Sequence, residues 1–317
     1  MLQGREKLLA YGAWAAVSFF WGTTYLAIRV GLETLPPALF SGVRFLTAGL
    51  ILLTIMRARG ARLPQGREWR ALSVVGIMLL GIGNGIVVWS EQWIPSSFAA
   101  LIVATSPFWL VGLDSFTAAG ERLGWRLLAG LLLGCSGMLL LVAPKLFGEA
   151  FEISYLWGVL ALQFGGATWS AGSVYAKRRP VSVAPLMAAA VQMLAAGLFL
   201  LLLGTLWGEW PRFHWSGRSL AAFVYLLMFG SLVGYSAYTY IVQKLPLSLV
   251  AMHSYINPLI AVILGWAILS EPLNWRVALS AAIILSGVAL VKSAPRKTDE
   301  TASAEFPRET EACPAKT

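Results

Sequence analysis

Residues able to do chemistry are scarce in this chain. Its 317 residues include two His, two Cys and 15 acidic side chains. An enzyme needs several such groups at one site, and no such cluster can be assembled from this sequence. Cys135 lies in an apolar run and Cys313 in a polar tail, so neither has a partner at metal-ligand or disulfide spacing. The sequence therefore predicts no catalytic residue, no metal site and no cofactor.

Arg44 and Glu91 are two ionisable residues at positions where charge is costly. Arg44 lies about seven residues, or about 10 Å, inside a long apolar run at 1.5 Å per helical residue, and Glu91 ends the next run on the same side. Ionisable groups at such depth in a membrane mark functional sites by default. We expect an intramembrane charge pair that holds this part of the protein together. The alternative is that the pair binds a carboxylate or amine cargo.

A set of aromatic, amide, hydroxyl and proline residues lies near the middle of several apolar runs. Ligand cavities combine apolar and aromatic walls with a few polar groups, which describes this set. The prolines each remove a helical hydrogen bond and bend the helix. The alternative is that these residues only fill gaps or join neighbouring helices. The predicted substrate-binding residues are Trp21, Tyr25, Asn84, Thr105, Pro107, Trp169, Tyr235, Asn257 and Pro258.

The glycine-rich segments favour helix packing over nucleotide binding. The segment GIGNG, residues 81–85, has apolar neighbours on both sides, whereas a phosphate-binding loop follows a strand and opens a polar helix. The chain has no Walker A lysine motif, so we do not expect direct use of ATP. Gly130, Gly134 and Gly137 have the spacing that brings two membrane helices close together.

The elements that position these residues are predicted to be membrane helices. The chain is 58% apolar and 12% charged, whereas about 25% of the residues in a soluble domain are charged. So few charges cannot cover the helix faces of a protein in water. The net charge of +9 does not indicate nucleic acid, because the basic residues lie between apolar runs. Membrane lipid is therefore an expected partner and nucleic acid is not.

Ten apolar runs are long enough to cross about 30 Å of hydrocarbon, which takes about 20 residues. The first run follows Arg5 and Lys7 but has no small-residue cleavage site, so we interpret it as an uncleaved span. The polar segment 293–317 is predicted to be a disordered cytoplasmic tail. The predicted spans are 9–28, 37–56, 71–91, 96–116, 125–143, 154–176, 185–206, 218–241, 247–268 and 274–292.

Basic residues predict the orientation of these spans. In the ten-span topology, counted as far as Lys297, 16 Lys and Arg residues fall in or beside loops and termini on one side and five on the other. Positive charge is retained on the cytoplasmic side of a membrane. We therefore predict a multi-pass protein of the cytoplasmic (inner) membrane with both termini in the cytoplasm.

The chain repeats itself at a shift of 148 to 151 residues. Trp21 then matches Trp169, and Pro107 matches Pro258. Because each copy has five spans, an odd number, the two copies must insert with opposite orientations. The predicted fold is all-α and integral to the membrane, with ten transmembrane helices in two inverted five-helix repeats. The predicted domains are a first repeat, 1–148, a second repeat, 149–292, and the tail, 293–317.

Glu121 and Glu271 occupy equivalent positions just before the fifth and tenth spans. A negative charge stabilises a helix N-terminus, and Pro272 suits the first position of a helix. We therefore expect both glutamates to cap the helices that follow them.

Five stretches of the chain together resemble the EamA-type branch of the drug/metabolite transporter superfamily, with the YedA-like inner membrane proteins most similar. The resemblance covers about residues 10–292 and implies a doubly repeated ten-helix exporter fold with a central cavity. The stretches are WGTTYLAIRVGLETLPPALFSGVRFLTAG (21–49), GNGIVVWSEQ (83–92), IPSSFAALIVATSP (94–107), TWSAGSVYAKR (168–178) and YINPLIAVILGWAILSEPL (255–273).

Inverted repeats predict a transporter. One sequence in two environments gives two conformations of similar energy, whose exchange exposes a site to alternate sides of the membrane. We expect a secondary transporter, and specifically an exporter, that moves a small organic solute such as an amino acid, metabolite or drug. A channel-like facilitator and a membrane-embedded enzyme are the alternatives, but no ring of like charges indicates a pore.

Overall fold

The computed structural model describes residues 4–115, 125–147, 153–245, 247–250 and 253–292, which form ten helical spans and a short 3-10 turn at Trp210–Arg212. This confirms the predicted all-helical fold of two five-helix repeats. The spans are α1 (Gly4–Gly31), α2 (Pro37–Ala58), α3 (Arg67–Ser90), α4 (Ser96–Val103 and Ser106–Ser115), α5 (Trp125–Phe147), α6 (Ile153–Arg178), α7 (Pro185–Leu206), α8 (Gly217–Lys244), α9 (Leu247–Val250 and His253–Leu269) and α10 (Trp275–Lys292).

The helices have the length and surface of membrane spans. Helices α2, α3, α7 and α8 are each long and apolar enough to cross a bilayer, and α4, α5, α9 and α10 contain shorter apolar helices. Leu198, Leu202 and Leu206 follow one another at four-residue spacing on α7, with 60%, 61% and 74% of their surface exposed. A row of exposed leucines on a helix is stable where the surrounding solvent is lipid.

The two repeats pack against each other through equivalent helices. Helix α2 lies against its counterpart α7, and α5 lies against its counterpart α10. A Cβ on Gly287 of α10 would lie 2.7 Å from the carbonyl oxygen of Gly130 and 2.7 Å from the backbone nitrogen of Gly134. The predicted close approach at the α5 glycines is therefore present, because only hydrogen at Cα lets these two backbones come together.

Helices α2 and α7 also end in the same way. Gly60 and Gly208, 148 positions apart, have φ of +74° and +66°, in the left-handed region that favours glycine. At each end a backbone N–H donates to the carbonyl five residues earlier in the chain, from Ala61 to Met56 and from Glu209 to Gly204, both at 2.9 Å. This is the bonding of a Schellman C-cap.

Carboxylates of each repeat accept backbone hydrogen bonds from the other repeat, at or just before the start of a helix. Glu209 Oε2 accepts a hydrogen bond from the backbone nitrogen of Leu39 at 2.8 Å, in the first turn of α2. In the opposite direction, Glu68 Oε1 accepts one from the backbone nitrogen of Ser182 at 3.0 Å, just before α7. The free N–H group of Leu39 at the start of α2 is thereby satisfied across the repeat interface, and Glu68 links the segment before α7 to the first repeat.

Glu271 caps a different helix from the one predicted. Its Oε1 accepts hydrogen bonds from the backbone nitrogen and hydroxyl of Ser96 at 2.7 and 2.8 Å, and its Oε2 accepts one from the backbone nitrogen of Ser97 at 2.9 Å. Helix α10 begins at Trp275, where Asn274 Oδ1 caps it. The prediction that Glu271 caps α10 is wrong because the folded chain places this carboxylate against α4. Glu121 lies outside the described residues.

Candidate functional site

A central cavity lies between the two repeats, with about 1190 Å³ of non-atom space that includes the solvent at its mouth. Its wall combines residues of α1, α2, α3, α4, α6, α8 and α9. Eight of the nine predicted substrate-binding residues line it: Trp21, Tyr25, Asn84, Pro107, Trp169, Tyr235, Asn257 and Pro258. Positions scattered over more than 230 residues of sequence therefore meet around one space.

Thr105 is the ninth predicted residue, and it does not line the cavity. It lies at the break between the two helical segments of α4, where its Oγ1 donates a hydrogen bond to the carbonyl of Ile102 at 2.7 Å. The same oxygen accepts one from Gln163 Nε2 of α6 at 3.0 Å. Thr105 therefore joins α4 to α6, because a broken helix has unpaired backbone groups that a nearby hydroxyl can satisfy.

Aromatic rings from both repeats form the middle of the cavity wall. The rings of Trp21 and Trp169 meet edge to face at 87°, with centroids 5.4 Å apart. Tyr238 packs against both, at 5.0 Å from Trp21 and 5.4 Å from Trp169. Trp169 Nε1 also donates a hydrogen bond to Tyr238 OH at 3.0 Å. Sequence reasoning missed Tyr238, although it lies three residues after Tyr235 and so on the same helical face.

The π-helical segments Ile77–Asn84 of α3 and Leu226–Tyr235 of α8 occupy equivalent positions in the two repeats and border the cavity. A π-helix is rare and often marks a functional site. Each segment ends in a predicted site residue, Asn84 or Tyr235. No signal in the apolar periodicity predicts this widening, although both segments are rich in glycine.

The residues that end these segments make equivalent hydrogen bonds. Arg44 Nη2 of α2 donates to Asn84 Oδ1 at 2.7 Å. In the second repeat, Tyr235 OH donates to Gln192 Oε1 of α7 at 2.7 Å. Gln192 occupies the position of Arg44 at a shift of 148. Both repeats thus tie their second helix to the end of a π-segment, but only the first does so with a charged residue.

Arg44 and Glu91 do not form the predicted ion pair in this structure. The guanidinium of Arg44 is buried, donates to Asn84 and lies 4.3 Å from the centre of the Phe45 ring. Glu91 is fully buried, and neither carboxylate oxygen has a hydrogen-bond partner, while its backbone carbonyl accepts a hydrogen bond from Arg29. The prediction of direct contact is wrong because Arg44 points into the cavity, which Glu91 does not line.

The two equivalent prolines have different backbone surroundings. Pro107 follows a break in α4 at Ala104 and Thr105, and Pro258 lies within the helical segment His253–Leu269. Beside Pro258, the side-chain amide of Asn257, in the orientation that satisfies its neighbours, donates to the carbonyls of His253 and Ser18. Asn257 therefore joins α9 to α1 as well as lining the cavity.

A second cavity lies between α3, α6, α7 and α8, with about 1080 Å³ of non-atom space that includes open solvent. It contains Lys177 and Arg179 at the end of α6 that is predicted to face the cytoplasm. Ser173, Tyr235 and Tyr238 line both cavities and form a partition between them. Ser173 Oγ and Tyr238 OH share a hydrogen bond of 3.0 Å across α6 and α8. Sequence reasoning missed this cavity because its walls depend on how four helices cross.

The sequence matches a family of transporters and several proteins that are named as transporters. The EamA-like transporter family matches residues 8–143 and 156–293, once for each repeat. The chain is 36% identical to the uncharacterized inner membrane transporter YedA of Escherichia coli (strain K12), over 90% of this chain and 92% of that one. It is 24% identical to the uncharacterized transporter YvbV of Bacillus subtilis (strain 168), over 88% and 90%.

A solved crystal structure shares the fold, with a TM-score of 0.64 and 24% identity over 89% of this chain and 95% of that one. The three findings agree: the family matches each repeat, the sequence is similar to transporters along most of its length, and the fold is shared with a solved structure. The chain belongs to the EamA-like transporter family, and it is a multi-pass membrane transporter.

Proposed function

We propose that this transporter exports a small organic solute, such as an amino acid, metabolite or drug, across the inner membrane by alternating access. We further propose that both termini lie in the cytoplasm. The observation that carries the proposal is the pair of adjacent cavities that share Ser173, Tyr235 and Tyr238 as a partition. The solute occupies the central cavity, where both repeats contribute to the wall.

The partition supplies the moving part of the proposed cycle. Tyr238 is held by hydrogen bonds to Trp169 and Ser173 of α6, and Tyr235 by one to Gln192 of α7. Breaking these few contacts joins the central cavity to the second cavity, which leads toward the predicted cytoplasmic side. Restoring them while the opposite end opens releases the solute outside. Inverted repeats favour such an exchange because the two states are built from the same contacts with the repeats in exchanged roles.

The experiment uses cysteine labelling in proteoliposomes. The native cysteines are replaced by Cys135→Ser and Cys313→Ser, and single reporters are placed in the central cavity (Val87→Cys) and in the second cavity (Thr239→Cys). A screen for solutes that raise the melting temperature supplies the cargo. We expect the cargo to change the maleimide labelling rates of the two reporters in opposite directions, and its flux to saturate. Equal changes at both reporters, together with unsaturable flux, would contradict alternating access and indicate a channel.

A further inference from the structure

The fixed charge on the described wall of the central cavity is positive and comes from the first repeat alone. Among the described residues that line it, Arg44 carries the one fixed charge, and no aspartate or glutamate is present. The other lining residues are apolar, aromatic, amide or hydroxyl side chains, together with His253. The position of Arg44 in the second repeat is occupied by neutral Gln192. The cavity therefore has one cationic end that the inverted symmetry does not duplicate.

The guanidinium of Arg44 has an unused hydrogen-bond donor and a restrained orientation, both of which favour binding of an anion. Its Nε is buried without a hydrogen-bond partner, and a buried guanidinium is stable only where its donors are used. The hydrogen bond to Asn84 and the contact with the Phe45 ring, whose centre lies 4.3 Å from the guanidinium carbon, restrain the guanidinium. A planar fork held in one orientation loses little conformational entropy when it binds a carboxylate through two hydrogen bonds.

Glu91 does not satisfy this requirement. It interacts with Arg44 electrostatically, but its carboxylate oxygens make no hydrogen bond and it does not line the cavity. The remaining wall suits the body of an organic acid, because Trp21, Trp169 and Tyr238 present ring faces and edges to the same space. An amine would find no carboxylate on the described wall.

We propose that Arg44 and Asn84 form a carboxylate-binding subsite, and that the cargo is an organic acid with an aromatic or apolar body. This inference rests on the proposed function, since it assigns the chemical class of the transported solute. Arg44 binds the carboxylate, Asn84 positions the guanidinium, and the aromatic cluster holds the apolar body.

The test uses two probes of nearly identical shape, indolepropionate and its neutral amide, indolepropionamide. Titration calorimetry on the purified protein should show the carboxylate binding about tenfold more tightly, because a charge-assisted bidentate contact exceeds a neutral one by at least this factor. Arg44→Gln should remove this preference by weakening the binding of the carboxylate about tenfold more than that of the amide. Arg29→Gln, which removes an equal charge from a residue that does not line the cavity, should retain the preference.

Equal binding of the two probes by the parental protein, or no binding of either, overturns the proposal. Equal weakening of both probes by Arg44→Gln also overturns it, since the role would then be structural. If Arg44→Gln does not fold, Asn84→Asp supplies the test, because its carboxylate competes for Arg44. Asn84→Asp must weaken the binding of the carboxylate probe and leave the binding of the amide probe unchanged. If it still binds the carboxylate more tightly than the amide, as the parental protein does, the proposed subsite is contradicted.

Proteoliposome flux separates this inference from the proposed function. If the protein carries the amide and the carboxylate equally well, it remains a transporter but has no carboxylate subsite. If it binds the carboxylate selectively but carries neither probe nor any solute found by screening, the carboxylate subsite is supported and the proposed transport function is contradicted.

Discussion

Trp21 and Trp169 occupy equivalent positions in the two repeats, and their indole rings meet edge to face with centroids 5.4 Å apart. Each ring therefore contacts its own symmetry counterpart at the centre of the cavity wall. Residues near the symmetry axis keep similar surroundings when the repeats exchange conformations. This pair can thus contact a solute in both states of the proposed cycle.

The contact between the two tryptophans should be measurable as a coupling energy. Edge-to-face aromatic pairs contribute about 0.5 to 1.5 kcal/mol beyond the burial of their surface. We expect a double-mutant cycle of Trp21→Phe and Trp169→Leu, measured by reversible denaturation in detergent, to give a coupling in this range. The control cycle pairs Trp21→Phe with Trp207→Leu, an exposed tryptophan at the end of α7, and should give none.

Arg44 should couple more strongly to Asn84 than to Glu91. A hydrogen bond to a charged group contributes about 1.5 to 3 kcal/mol, and Arg44 makes one with Asn84 but none with Glu91. Two double-mutant cycles, Arg44→Gln with Asn84→Ala and Arg44→Gln with Glu91→Gln, compare the couplings. A larger coupling to Glu91 would mean that an ion pair forms in the conformation that predominates in solution.

Gly287→Ala should separate α5 from α10. The added methyl group would lie 2.7 Å from backbone atoms of Gly130 and Gly134, which cannot move aside as a side chain can. We expect a loss of about 1 to 3 kcal/mol in the free energy of unfolding. Gly12→Ala is the matched control, because it lies on an exposed helix face with nothing within 4 Å of the added atom. A similar loss in both variants would show that helix packing is not the cause.

Glu271→Ala should destabilise the protein through α4, the helix that its carboxylate caps. Three hydrogen bonds to Ser96 and Ser97 are lost, and we expect a cost of about 2 kcal/mol or more. Glu33→Ala removes one exposed ion pair with Arg218 and should cost less than about 1 kcal/mol. Proteolysis near residue 96 should increase in Glu271→Ala alone. Unchanged stability would contradict the cap.

Reporter fusions should establish the orientation of the chain. Fusions near 62, 122, 178 and 244, and in the tail, should report the cytoplasm, and those near 33, 148 and 212 the outer side. The reason is the retention of basic loops on the cytoplasmic side. A cytoplasmic signal at 148 would contradict the opposite orientation of the two five-helix repeats.

The number of helices and their pairing into two repeats could be predicted from sequence alone. Both properties depend on local apolar content and on the match of one half to the other, which a linear comparison detects. Eight of the nine predicted substrate-binding residues line the cavity, and they could be predicted for the same reason, since Trp21 and Pro107 have counterparts at equivalent positions in the second repeat. Depth in the membrane follows directly from position along a helix.

Only the tertiary structure decided which side chains meet. Arg44 is buried but forms its hydrogen bond with Asn84 instead of pairing with Glu91, and Glu271 caps α4 instead of α10. The partition around Tyr238 could not be predicted from the sequence either. These contacts depend on the rotation of each helix about its axis and on the angle at which it crosses its neighbours. The π-segments change that rotation partway along α3 and α8, so position in the sequence no longer predicts direction.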